Sequence, residues 1–261
     1  MIVEWWRRRR RAKILTTPFP AAWKEIIAET IPQAAFLTDV QQARFRRLTQ
    51  IFVAEKNWEG CNGLELTEEM RVVIAGMASL LVAGFPEEEY YDHVLSILVY
   101  PESYIARNTQ MLGAGTVIEG PQARIGEAWY RGPVIVSWAD IQQTATNATF
   151  GRNVVLHEFA HQLDMLNGRV ADGNPILPSH ERFHRWEEVM QQGFGQLSAA
   201  CRQGRPTLID CYGGTSRAEF FAVVTELFFE GPTPLRHWHP DIYRELSTFY
   251  GLDPANWGQE E

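Results

Sequence analysis

Two histidines spaced four apart, His157 and His161, enclose Glu158 in the run Val154-Val155-Leu156-His157-Glu158-Phe159-Ala160-His161-Gln162-Leu163-Asp164. On a helix, residues i and i+4 are neighbours, roughly 5–6 Å apart at Cβ, so the two imidazoles can grip one small cation. Glu158 lies one position round the helix, within reach of a water on that cation without binding the cation itself. This is the HExxH arrangement of zinc hydrolases, in which the glutamate is the general base. The surrounding Val154, Val155, Leu156, Phe159, Ala160 and Leu163 are uncharged, as a helix buried beneath a cleft requires. The competing reading is a pair of core histidines satisfied by their neighbours.

The motif occurs twice. His180-Glu181-Arg182-Phe183-His184 has the same spacing. It follows Pro178 and Ser179, a helix-start signal, so its histidines occupy the first turns of a helix. Arg182 and Arg185 stand among them, and a cation beside a dication is unfavourable. We read this copy as the solvated, amphipathic start of a helix and assign the metal to His157 and His161.

A catalytic zinc takes three protein ligands and leaves a fourth position for water. The extended HExxHxxGxxH pattern needs glycine at position 164 and histidine at 167, but the chain has Asp164 and Asn167, which closes that branch. His237 and His239, in a proline-bounded turn, are weak candidates. The strongest is Glu219, in the apolar helical segment Ser216 to Phe229 that also carries Glu226. Both carboxylates are expected to be buried, and buried carboxylates need a partner or a metal. Seven residues apart, they share a face. One could bind the metal while the other hydrogen-bonds a ligand imidazole; pairing of either with an arginine is the alternative. Asp164 reads either as a support for that ligand set or as a surface acid.

The composition bounds the rest. At 261 residues and 45% hydrophobic, the chain can bury one sizeable core or two small ones. A net charge of −8 argues against nucleic acid as main partner, because phosphate binding needs a basic face. The three cysteines, Cys61, Cys201 and Cys211, form no CxxC and no paired framework. Reduced thiols in a cytoplasm are therefore expected. No apolar run is long enough to span a bilayer. Residues 1–20 stand apart: Trp5 and Trp6 precede Arg7 to Arg11 and Lys13. They are expected to form a flexible, basic, solvated tail, with an anionic membrane surface or a nucleic acid as other uses of such a stretch.

Hydrophobic periodicity supplies the elements that must position the site. Helices are expected over Ala21 to Thr30, from a Thr38 cap to Glu55, and over Met70 to Ala83 after Thr67. Strand candidates are a short one within Trp58 to Leu66, then His93 to Tyr100, Gly113 to Gly120, Ile125 to Tyr130 and, most clearly, Gly132 to Trp138. After the metal helix, further helices are expected over Phe183 to Leu197, Ser216 to Phe229 and Asp241 to Phe249. Helices, then a small mixed sheet, then helices describe an α+β fold with the metal motif on a central helix and the third ligand on a later one. The Gly132–Trp138 strand, or a neighbour, is expected to be an exposed edge that holds substrate as an added strand.

The segment His157-Glu158-Phe159-Ala160-His161-Gln162-Leu163-Asp164-Met165-Leu166-Asn167-Gly168, followed by Asp210-Cys211-Tyr212 and Ala218-Glu219-Phe220-Phe221-Ala222, resembles the Mlc titration factor A family of bacterial zinc metallopeptidases. The likeness extends to Gly132–Trp138 and covers most of the chain from about residue 35 onward. It implies a zincin-like domain over residues 21–261, similar to the catalytic domain of anthrax lethal factor, a gluzincin. By resemblance, His157, His161 and Glu219 are the ligands of one zinc per chain, Glu158 the catalytic base and Tyr212 an assisting group. The resemblance also implies aminopeptidase-type activity on a peptide or protein substrate. As a second function class it implies a regulatory protein that sequesters a glucose-responsive transcriptional repressor. The arginine run and the His180–His184 copy lie outside the family pattern and receive no role from it.

Overall fold

The computed structural model describes residues 2–102, 132–146, 152–168 and 170–258. Local signals are answered closely at the start of the chain. Helix α2 (Ala21–Thr30) is followed by α3 (Asp39–Glu55), where Thr38 and Gln41 form a reciprocal capping box. That satisfies two backbone donors which the first helical turn leaves orphaned. Helix α4 (Glu68–Leu81) is capped by the Thr67 side chain, and every residue from Val72 to Leu81 is buried. A helix apolar on all sides belongs in a core, and α4 lies between α3 and α2 on one side and the metal helix on the other.

Three strands form a sheet in the order β1 (Asn57–Gly60), β2 (Ser96–Tyr100), β3 (Val134–Ser137), all parallel. Ile97 faces Trp58 on one side and Val134 on the other. Among the described residues β3 is an outer strand; the expected strands at Gly113–Gly120 and Ile125–Tyr130 lie outside those residues. Strand β2 is shorter than the expected His93–Tyr100. Helix α5 (Trp138–Thr146) follows β3 directly.

The second half is helical: α6 (Val154–Asp164), α7 (His180–Arg202), α8 (Arg217–Glu230), α9 (Pro232–Trp238) and α10 (Pro240–Tyr250). Helix α9 replaces the turn expected around His237. Helix α8 buries ten consecutive residues, Phe220 to Phe229, and each buried large apolar side chain contributes roughly 1.5–3 kcal/mol. It packs along α6, and this pairing makes the site. One apolar cluster runs from Trp23 to Ala255 and includes Phe159, Leu163, Trp186 and Phe221. Among the described residues no helix is long and apolar enough to cross a membrane.

The basic segment expected as a flexible tail is instead helical, as α1 (Ile2–Ile14). Arg7 and Arg11 sit one turn apart. Both pair with Asp92, and Arg11 also holds Glu55 at 2.8 Å. Composition alone assigned those charges to solvent; two acids distant in sequence draw them onto the body.

Candidate metal centre

Helix α6 is fixed at its start by Asn153, whose side-chain oxygen accepts from the Leu156 amide at 3.1 Å. The same residue ties α6 to α8: its backbone N–H donates to Glu226 Oε2, and its side-chain amide donates to Glu230 Oε1 at 3.0 Å. At the other end, buried Asp164 accepts from the Gly173 amide at 2.7 Å, and the Trp186 indole donates to the Gly173 carbonyl at 3.0 Å. Gly173 has φ +83°, and a Cβ there would meet the Arg217 carbonyl oxygen at 2.6 Å. Only glycine lets the loop pass that close to the start of α8. Both ends of α6 are thus locked to the helix that faces it.

Between those anchors the expected residues come together. His157 Nε2 and His161 Nε2 are 3.2 Å apart. Glu219 Oε2, from α8, lies 3.0 Å from the first and 3.5 Å from the second. Among the described residues these three are the group whose ligand atoms could hold a metal ion, all within 4.8 Å of one another. Two neighbouring imidazole nitrogens and a carboxylate oxygen at these distances can share one cation. Glu219 Oε2 is buried, with the two imidazole nitrogens as its close polar neighbours and neither in good hydrogen-bonding geometry, an expensive state for a carboxylate. The donor set of two nitrogens and one oxygen fits a metal centre of the catalytic, incompletely filled kind.

Glu226, one face-repeat along α8, takes the other side of His157: Nδ1 to Oε1 is 2.7 Å. Burial pushes the Glu226 carboxyl up despite the imidazole beside it. Glu219 behaves oppositely. Burial would raise it, but hydrogen bonds from His157 and His161 hold it well below the usual carboxylate range. Burial pulls the His157 ring down, and the hydrogen bonds to Glu219 and Glu226 overcome that and raise it to about 10. These directions describe the side chains without a cation; a dication at the same point would replace the ring proton facing Glu219. Burial also raises Glu158, against the pull of both histidines, a direction that suits a general base working near neutral pH.

Tyr212 stands beside the cluster, its ring centroid 5.9 Å from that of His157. It rides on a short 3-10 turn, Cys211–Gly214, where its own amide donates to Asp210 Oδ1 at 2.9 Å, with Arg152 holding Asp210 at 2.9 Å. Burial, then the charges of Glu219 and Glu158, push the phenol up to about 12, so it remains a proton donor. The same turn corrects an expectation about the thiols. Cys201 and Cys211 form a disulfide, with Cα atoms 5.8 Å apart, and Cys61 alone is free. Ten residues separate the pair, so no local motif announced it; the reversal after α7 brings them together.

The remaining candidates sort themselves. His180 and His184 face each other at 2.7 Å on an exposed turn, without a third ligand among the described residues. Their arginines serve α10 instead: Arg182 pairs with Glu245 at 2.9 Å and Arg185 with Asp241 at 3.4 Å. His237 and His239 stay outside the cluster. Asp164 is fully buried rather than a surface acid. Neither Glu219 nor Glu226 has an arginine partner among the described residues. Sequence reasoning overlooked Asn153, although an asparagine just before an apolar helical run is a cap signal.

Comparison with known proteins follows the same lines. The sequence matches the profile of the family described as glucose-regulated metallo-peptidase M90 over residues 3–251. It is 36% identical to an uncharacterized protein of Synechocystis sp. over 250 residues, covering 95% of this chain and 90% of that one. It is 31% identical over 236 residues to a protein of Serratia proteamaculans named Mlc titration factor A, covering 90% and 88% of the two chains. A protein of that name from Cronobacter sakazakii is 29% identical over 262 residues, covering 97% and 93%.

Proposed function

We propose, from the premise that the chain belongs to the glucose-regulated metallo-peptidase M90 family, that it is a zinc-dependent peptidase of aminopeptidase type. His157, His161 and Glu219 hold the metal in this reading, and Glu158 is the general base. The observation that carries it is the convergence of three ligand atoms from α6 and α8 beside a buried glutamate. The mixed nitrogen and oxygen donors favour zinc, and structural zinc sites are closed by four ligands, commonly cysteines. Cys201 and Cys211 are bonded to each other and supply none.

A bound zinc supplies a water with its pKa lowered towards about 7 and polarises the scissile carbonyl. Glu158 accepts the proton of the attacking water at a carboxylate oxygen and later delivers it to the leaving amine nitrogen. Tyr212 donates its phenolic hydrogen to the carbonyl oxygen as negative charge develops there. Glu226 holds the His157 ring with Nδ1 protonated, so that Nε2 presents its lone pair. The outer strand β3, immediately before α5 and packed on α6, is the place we propose for an extended peptide to add as a further strand. Reduced thiols are the ground for expecting a cytoplasmic protein, and the Cys201–Cys211 disulfide removes that ground.

The test is elemental analysis and peptide hydrolysis on the same preparations. Wild type should carry about one zinc per chain, His157→Ala should lose it, and His180→Ala should keep it. Glu158→Gln should keep zinc and lose hydrolysis by roughly 10²–10⁴-fold. Wild type without zinc, or loss of zinc through His180→Ala, would overturn the assignment. A second reading rests on the name Mlc titration factor A, which relatives including the two above carry. In it the protein binds a transcriptional repressor and hydrolysis is secondary. Capture of such a repressor by Glu158→Gln protein would support that reading, and strong hydrolysis without capture would remove it.

A further inference from the structure

The geometry of α1 points to a second working surface: we propose that its outer face docks on the anionic headgroups of a phospholipid bilayer. The inner face is committed. Arg7 and Arg11 reach Asp92 and Glu55, Arg10 donates to the Ala54 carbonyl at 3.5 Å, and the Arg11 guanidinium lies 3.8 Å from the centroid of the Tyr90 ring. Trp5, Arg9 and Lys13, spaced four apart, form the opposite ridge. All three are exposed, as are Trp6 and Arg8. Trp5 is 49% and Trp6 62% exposed, the two indoles meeting edge to face at 5.1 Å, with Arg9 4.7 Å above the Trp5 ring. Arg8, Arg9 and Lys13 have no ion pair among the described residues.

Charge selects the occupant. The whole chain carries −8, yet this ridge is cationic. An anionic surface therefore attracts one face and repels the remainder, which fixes an orientation. Clustered arginine and lysine beside a bilayer, and indoles at headgroup depth, are the ordinary chemistry of interfacial helices. A nucleic acid strand would want a basic groove to follow; here the body against which α1 lies presents the acids Glu55 and Asp92. A convex line of two indoles and several cations suits a flat, wet, negatively charged sheet. This inference stands apart from the metal centre and does not depend on it.

The experiment is co-sedimentation of the full-length protein with vesicles of phosphatidylcholine alone and of phosphatidylcholine mixed with phosphatidylglycerol, at low and high salt. Binding to the mixed vesicles should exceed binding to the neutral ones by about tenfold or more and weaken with salt. Arg8→Glu/Arg9→Glu/Lys13→Glu should abolish it, and Trp5→Ser/Trp6→Ser should reduce it about tenfold, with unchanged thermal unfolding in both. Equal affinity for the two vesicles, full binding by the triple variant, or binding to single-stranded DNA with none to vesicles would each overturn the proposal.

Discussion

His157 is bracketed by two glutamates of one helix: Glu226 Oε1 lies 2.7 Å from Nδ1, and Glu219 Oε2 lies 3.0 Å from Nε2. Seven residues place the two carboxylates on the same face of α8, and the width of one imidazole divides their tasks. In the proposed reading the outward nitrogen is a ligand position and the inward one fixes the ring. Removing the inner partner should loosen the metal without abolishing its site. We expect Glu226→Ala to weaken zinc affinity roughly 10–100-fold and Glu219→Ala to weaken it further, measured by competition with a chromophoric chelator. The reverse order would exchange their roles.

Tyr212 should act through its proton. With the phenol pushed up to about 12 by burial and by Glu219 and Glu158, the group stays neutral through the neutral and mildly alkaline range. Tyr212→Phe should therefore lower kcat by roughly 10²-fold and leave the shape of the pH–rate profile between pH 6 and about 9 unchanged. An alkaline limb that disappears in the variant would show that the phenol ionises in that range and refute the assignment.

Asp164 should cost stability at neutral pH. Burial raises its carboxyl to about 6, above the value near 3.8 of an exposed aspartate. Between those values the unfolded chain has released the proton and the folded chain has kept it, so stability falls as pH rises through that window and stays lower above it. The loss is on the order of 3 kcal/mol at most. In the metal-free protein, Asp164→Asn, which retains an oxygen for the Gly173 amide, should be flatter across pH 4 to about 6 in urea unfolding. An equal slope in both proteins would mean that Asp164 is ionised in the fold.

The Cys201–Cys211 disulfide should hold the turn that carries Tyr212. Protein purified without reductant should expose one thiol in denaturant, that of Cys61, and three after reduction. Closing a loop of this length stabilises by about 2–3 kcal/mol, so Cys211→Ser should lower the unfolding free energy by a similar amount. Three thiols before reduction would place the pair in the reduced state.

Several elements were readable because their causes are local. Thr38, Thr67, Ser179 and Ser216 accept from the first-turn amides of their helices as cap chemistry requires, and α2 spans Ala21–Thr30 as its pattern predicts. The i, i+4 histidines and the apolar flanks of α6 likewise depend on nothing beyond one helix. Helix α1 was misread for the converse reason. Its polarity says solvent, and its docking depends on Asp92 and Glu55, more than 40 residues away.

The sequence by itself determined the chemistry available: two histidines and a glutamate on one helix, and two candidate carboxylates on another. It put Glu219 first as third ligand, but could not set the two carboxylates on particular nitrogens, since residues seven apart on one face are equivalent until something packs against them. The tertiary structure separates their positions. The packing of α8 on α6 sets Glu219 against Nε2 and Glu226 against Nδ1, and gives the second HExxH copy no third ligand among the described residues. Periodicity is a property of neighbours along the chain. A ligand set is a property of distance between helices, fixed by buried contacts that no stretch of sequence contains alone.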